Sequence, residues 1–142
     1  MHIDINDNTP LREIQVVFSN FYPYLAISFY RKRHKKYEPS ESSDLIDPDT
    51  TIGAIKKTHY SGILEIQPLY TVAEVEKEFQ ERFDLSVQIL RKEKSEWEQS
   101  VGMDSFTLKE LNEMGRNSSD ETIVSDYNEG FKAVEEKPDE LL

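Results

Sequence analysis

The hydrophobic and polar positions of this chain follow two different periods, and each period predicts a different element. Residues 2–5 alternate polar and apolar, which predicts a short strand. Leu11, Ile14, Phe18 and Phe21 then recur at helical spacing and predict one buried face of a helix, and Pro10 suits its first turn because the missing amide proton is not needed there. Residues 25–30 alternate again, so a half-buried strand is expected after the helix.

The same order of elements follows in the second half of the chain. Residues 63–67 predict a strand, and Thr71 with Glu74 three positions later forms a capping-box pattern that marks a helix start. A strand at 85–89, a turn at 93–95, a returning strand at 96–101 and a final helix follow. In the first half, a basic turn, a returning strand at 37–40 and a short helix bearing Ile52 and Ile55 are expected at the matching places.

The two halves also align residue by residue. Residues 25–40 and 85–100 match at an offset of 60, with five identities: Leu25/Leu85, Arg31/Arg91, Lys32/Lys92, Glu38/Glu98 and Ser40/Ser100. An offset of 61 pairs Phe18 with Phe79 and Tyr22 with Phe83. We therefore expect an internal repeat of one strand-helix-strand-strand-helix unit, at residues 1–58 and 62–115, with pseudo-twofold symmetry.

These elements predict an α+β fold. A helix that connects neighbouring parallel strands crosses over in a right-handed sense, so the first two strands of each unit are expected to be parallel and the sheet mixed, in one sheet or two. Units of about 60 residues are marginal alone, so one domain at residues 1–116 with a shared core is expected. A disordered acidic tail is expected at residues 117–142. The aromatic side chains Phe18, Tyr22, Phe79, Phe83 and Trp97 are expected in the core.

The amino-acid composition bears on the cellular compartment. The chain has no cysteine, which excludes disulfides and thiol chemistry and fits a reducing compartment. Its first residues lack the pattern of a signal peptide, and no run approaches the ~20 apolar residues that span a bilayer. We expect a cytoplasmic protein that does not enter a membrane.

The distribution of charge bears on whether nucleic acid is a partner. The net charge is −11, and an acidic surface repels nucleic acid. The first hairpin is nevertheless basic, and with the second it could present two cationic tips beside aromatic side chains that stack on bases. Binding of single-stranded nucleic acid at these tips is therefore one alternative, against the simpler interpretation that they are solvated turns. The candidate residues are Arg31, Lys32, Arg33, Lys35, Lys36 and Tyr37 in the first tip and Arg91, Lys92 and Lys94 in the second.

Catalytic and metal motifs are absent from the sequence. There is no glycine-rich phosphate loop and no Gly-x-Ser-x-Gly pattern, and His2, His34 and His59 are too scattered for metal-ligand spacing. The sequence thus predicts no catalytic residue, no cofactor and no metal. An enzyme without a recognisable motif remains a second alternative.

The C-terminal segment carries an apolar stripe. Ile123, Tyr127, Phe131 and Val134 recur at helical spacing in an otherwise acidic stretch, so Tyr127 and Phe131 are candidate contacts with a partner. Taken together, these features favour a non-enzymatic module that binds or assembles with another protein through an outer sheet face or this tail. A homodimer through an unpaired sheet edge also stays open.

One part of the chain resembles known sequences. The segment 79–111, with residues 83–89, Arg91, Trp97 and the pair Thr107 and Leu108, resembles a group of small uncharacterised proteins from Bacteroidota. The resemblance covers about a third of the chain. It implies a compact α+β fold and a bacterial cytoplasmic setting, and it assigns no functional residue.

Overall fold

A computed structural model describes residues 1–31, 39–55 and 61–130, with backbone only for residues 61 and 120–130. Its α+β architecture confirms the predicted fold class. The elements are β1 (His2–Asn6), α1 (Leu11–Phe21), β2 (Leu25–Tyr30), a 3-10 turn (Ser42–Asp44), α2 (Ile52–Ile55), β3 (Ser61–Glu65), α3 (Val72–Phe83), β4 (Ser86–Glu93), β5 (Glu96–Gln99) and α4 (Leu108–Gly130).

The described strands form two antiparallel sheets. β1 pairs with β3, placing Ile3 opposite Leu64, and the second sheet has the order β2-β4-β5, with Ile27 opposite Ile89. The predicted mixed sheet with parallel neighbours is therefore wrong for these strands. The crossover rule applies to two parallel strands of one sheet, whereas α1 connects strands that belong to different sheets.

One core joins the two sheets and the helices. Phe18 of α1 and Phe79 of α3 are both fully buried, and the Phe79 ring lies 5.5 Å from the Phe29 ring of β2 in an edge-to-face arrangement. Two aromatic predictions are wrong. Phe21 is 57% exposed, because Tyr22 just beyond the helix takes the buried place, and Trp97 is 44% exposed on β5.

The backbone hydrogen bonds at the starts of α1 and α3 match. At the start of α1 the amide of Leu11 donates to the carbonyl of Thr50, and at the start of α3 that of Val72 donates to Phe106. The aromatic contacts match as well, since one ring pair lies in α1 and its C-cap and the other in α3. Their centroids are 5.1 Å apart for Phe18–Tyr22 and 5.7 Å apart for Phe79–Phe83.

The last helix extends further than expected. The predicted start of a disordered tail at residue 117 falls inside α4, and the side chain of Ser118 is buried. Gly115 lies so close to Tyr24 that an added Cβ would come within 2.8 Å of the Tyr24 Cβ. Residues 131–142 lie outside the described residues. Within the described ranges, no helix has the length and apolar character needed to cross a membrane.

Candidate functional site at the β4–β5 tip

The second predicted basic turn forms a hairpin, which we call the β4–β5 tip (residues 91–99). β4 and β5 pair in antiparallel register, with Arg91 opposite Glu98 and Lys92 opposite Trp97. The turn between the strands is tight, and Lys94 adopts a left-handed conformation with φ 56°. The hairpin predicted here is therefore confirmed, with the predicted residues Arg91 and Lys92 at the end of β4 and Lys94 in the turn.

An aromatic side chain stands exposed on this tip. The Lys92 ammonium lies 5.0 Å from the centroid of the Trp97 ring, a geometry in which the cation is attracted to the face of the ring. Trp97 stays 44% exposed because β5 is the last strand of its sheet. The Lys92 ammonium is thus already engaged in a cation–π contact with Trp97.

Arg91 is engaged inside the tip. Its side chain is only 15% exposed and forms an ion pair with Glu93. Its Nε is buried and has no hydrogen-bond partner within the described part of the chain. Arg91 therefore offers little cationic surface to a ligand.

The tip is fastened to α4 by a serine. The Ser118 hydroxyl donates to Glu93 at 3.1 Å and accepts from the Lys94 amide at 2.9 Å. The hydrogen bond from Arg91, and then that from Ser118, lower the pKa of the Glu93 carboxyl below its ordinary value. These contacts hold the turn in one position relative to α4.

The outer edge of β5 is not paired with any of the described strands. The amide of Ser100 donates to Ile89 of β4, so alternation along the strand turns the main-chain groups of Trp97 and Gln99 away from β4. The side chains of Glu96 and Glu98 on this strand are exposed and have no ion-pair partner among the residues described.

Most of the sheet face that carries Trp97 is covered. Gln88, Ser86 and Tyr30 are all nearly buried, at 2%, 7% and 5% exposure. Ser40 lies against this face, where its hydroxyl donates to Gln88 at 3.2 Å and its amide to the Gln99 side chain at 2.9 Å. Exposure on the outer sheet face is therefore concentrated at the Trp97 end.

The first predicted basic tip is described only at its start. Arg31 is exposed, and its amide donates to the carbonyl of Asp44 at 2.8 Å. The other candidates of this tip fall outside the described ranges: Lys32, Arg33, Lys35, Lys36 and Tyr37.

The two candidates in the C-terminal segment were Tyr127 and Phe131. Tyr127 belongs to α4, where only its backbone is described, and Phe131 lies beyond the described residues.

Sequence reasoning missed the acidic edge and the exposed tryptophan. The sequence carried only part of the signal, because three of the four β5 residues are polar, as is typical of an edge strand, whereas an aromatic residue in a strand pattern is usually buried. The Ser118 contact was not predictable, since it joins residues 25 positions apart in sequence.

Beyond the tip, the part of the chain that the structure describes contains no cluster of three histidine or carboxylate side chains able to hold a metal ion.

No family model, no curated protein and no solved structure matches this chain.

Proposed function

We propose that this chain is a non-enzymatic module that binds another protein through the β4–β5 tip. The observation that carries the proposal is the exposed ring of Trp97 on an edge strand. Tryptophan contributes a large apolar area to an interface and is enriched among the residues that dominate binding energy. It is the only tryptophan of the chain.

The tip is also preorganised for binding. Trp97 is held against Lys92, and the turn is held against α4 by Ser118. A surface that is already ordered loses less conformational entropy when a partner arrives, so more of the contact energy contributes to affinity.

We further propose that the two halves are repeats of one unit, as the matched hydrogen bonds at the starts of α1 and α3 support. In that alignment the exposed Val16 and Phe21 of α1 correspond to Lys77 and Arg82 of α3, which form ion pairs within their helix. The fold thus accepts charged residues at these positions. Burial within the chain therefore does not account for the apolar side chains at these positions of α1.

The contacts of the tip favour protein over nucleic acid. Arg91 and Lys92 are already engaged, which leaves Lys94 as the exposed cation among three exposed or half-buried glutamates. With a net charge of −11, the chain also repels phosphate at long range. A titration with labelled single-stranded oligonucleotides at several salt concentrations tests the alternative, and strong salt-dependent binding would favour it.

Affinity capture tests the proposed function. The full chain, the Trp97→Ala variant and a Leu69→Ala control are immobilised and exposed to lysate of the native cells. Leu69 is 70% exposed in the turn before α3 and lies outside the β4–β5 tip, so it matches the loss of an exposed apolar side chain. We expect Trp97→Ala to reduce recovery of a discrete partner at least about tenfold, as at an interface hot spot, and Leu69→Ala to leave it unchanged.

Two results would overturn the proposal. One is that the wild-type chain recovers no discrete protein, and the other is that Trp97→Ala recovers as much of the partner as Leu69→Ala does. Circular dichroism of each variant confirms that the fold is retained. The cytoplasmic setting and the resemblance to Bacteroidota proteins belong to the same proposal, and they make a Bacteroidota cytosol the first lysate to use.

A further inference from the structure

We propose that the outer edge of β5 binds an extended, basic segment of the partner as an added β-strand. This inference rests on the proposed protein-binding function and specifies both the site and the chemistry of the partner. It follows from the main-chain groups of the edge, the charges beside them and the poor fit of a second copy of the chain.

The main chain of β5 provides the first part of the site. Trp97 and Gln99 each direct a donor and an acceptor away from β4, and no described strand pairs with them. Unpaired groups on a sheet edge form a ready template for an extended segment. The edge is short, so main-chain pairing alone gives weak binding and side chains must supply the specificity.

The charges on one face of the edge select the partner. Glu96 and Glu98 point to the same face, about 7 Å apart along the strand. Both are exposed, and neither has an ion-pair partner in the described ranges, whereas Arg91 is paired with Glu93. A strand with lysine or arginine at alternate positions would place its cations opposite these carboxylates.

The other face of the edge carries Trp97. An added strand directs its remaining side chains to this face, where an apolar residue can pack on the exposed ring. The expected segment therefore alternates basic and apolar residues. The net charge of −11 attracts such a segment at long range and raises its association rate.

A second copy of this chain fits the same edge poorly. Antiparallel self-pairing centred on Trp97 puts Glu96 opposite Glu98 of the second copy, and pairing centred on Glu98 puts that carboxylate opposite itself. Like charges directly opposite each other destabilise a strand pair. Two chains of net charge −11 also repel each other before contact.

An NMR titration with a defined probe tests the inference. The full chain, labelled with ¹⁵N, receives a short capped peptide of alternating lysine and valine. We expect saturable shifts of the Trp97 and Gln99 amides with a Kd of about 1 mM or lower, the affinity that a few main-chain hydrogen bonds support. The same peptide with alternate N-methylated amides keeps its charge and cannot pair, so it should lose the shifts.

Charge reversal provides the matched variants. Glu96→Lys with Glu98→Lys should weaken binding of the lysine-valine peptide about tenfold and improve binding of a glutamate-valine peptide. Asp4→Lys with Glu65→Lys makes the same change in net charge on the exposed face of the β1–β3 sheet, and it should weaken binding far less.

Three outcomes would overturn the inference: no saturable shifts at the edge, equal binding of the N-methylated peptide, or equal loss in both charge-reversed variants. Concentration-dependent dimerisation through the β5 amides would assign the edge to a second copy instead. If lysate capture still depends on Trp97 in any of these cases, the proposed function stands and only the strand-addition inference fails.

Discussion

The ammonium of Lys92 lies 5.0 Å from the centre of the Trp97 ring, directly across the β4–β5 pair. Because both residues are at the sheet margin, the attraction between them is partly screened by water, and contacts of this kind contribute about 0.5–1 kcal/mol. We therefore expect its main effect to be on the orientation of the Trp97 ring.

Removal of the ammonium should therefore loosen the ring. We expect Lys92→Met to raise the acrylamide quenching constant of tryptophan fluorescence while the free energy of unfolding falls by about 1 kcal/mol or less. Trp97 is the only tryptophan, so the signal reports this site alone. Lys94→Met, at the neighbouring turn, is the control. Identical quenching in wild type and Lys92→Met would show that the cation does not orient the ring.

A second prediction concerns the packing of α4 on the sheet. Gly115→Ala adds a Cβ that would meet Tyr24 Cβ at 2.8 Å, the Tyr24 carbonyl at 3.1 Å and the Lys92 carbonyl at 3.2 Å. Alanine favours a helix over glycine by about 1 kcal/mol, but two of the three contacts are with main chain that cannot move aside. We expect a net loss of about 1–2 kcal/mol in urea unfolding.

The exposed Asn117 on the same helix provides the control for that experiment. Asn117→Ala carries the propensity gain without the contact, so it should leave stability unchanged or raise it slightly. A Gly115→Ala variant more stable than wild type would contradict the close approach of α4 to Tyr24.

The hydrogen bonds of Glu93 predict a pH dependence. Its pKa in the folded chain lies below the ordinary value of 4.5, first because of Arg91 and then because of Ser118. The ionised carboxylate therefore stabilises the fold above pH 4.5, and this contribution is lost as the pH falls through the lowered pKa. The stability difference between wild type and Glu93→Gln should be largest at neutral pH and shrink in acid, as measured by urea unfolding.

Ser118→Ala tests the second of these two contacts. It removes one hydrogen bond from Glu93 and one from the Lys94 amide, so its stability difference should follow the same pH trend with a pH-independent part added. A difference for Glu93→Gln that stays constant from neutral to acid pH would contradict the arrangement.

The proposed repeat predicts equal roles for two phenylalanines. Phe18 and Phe79 are both 0% exposed, and each contacts an aromatic ring four residues later. Phe18→Leu and Phe79→Leu should each lower the free energy of unfolding by about 1–2 kcal/mol, since each leaves a similar void in the shared core. Chemical denaturation provides the measurement, and a large cost for one variant with none for the other would argue against equivalent sites.

Much of the local structure was predictable from periodicity. The helices around Phe18 and Phe79, the capping box of Thr71 and the turn near Lys94 were all evident, because each depends on neighbours within a few residues. The pairing of β1 with β3 was not, since alternation shows which face of a strand is buried and not which strand lies beside it.

The candidate site, like the fold, was predictable only in part. The tight turn at Lys94 brings Lys92 opposite Trp97 and Arg91 opposite Glu98, and the sequence predicted that turn. The exposure of Trp97 depends on the order of strands in the sheet, which is a property of the whole fold. An aromatic residue in a strand pattern is usually core, so local reasoning placed it inside.

Site-specific photocrosslinking from position 97 tests the central claim most directly. A benzophenone amino acid replaces Trp97 in the full chain, and the matched control carries it at Leu69, which is more exposed at 70%. In lysate of the native cells we predict a discrete crosslinked protein band from position 97 that is absent from position 69. Equal, diffuse labelling from both positions, or no adduct at 97, would contradict the claim that the β4–β5 tip binds a protein partner.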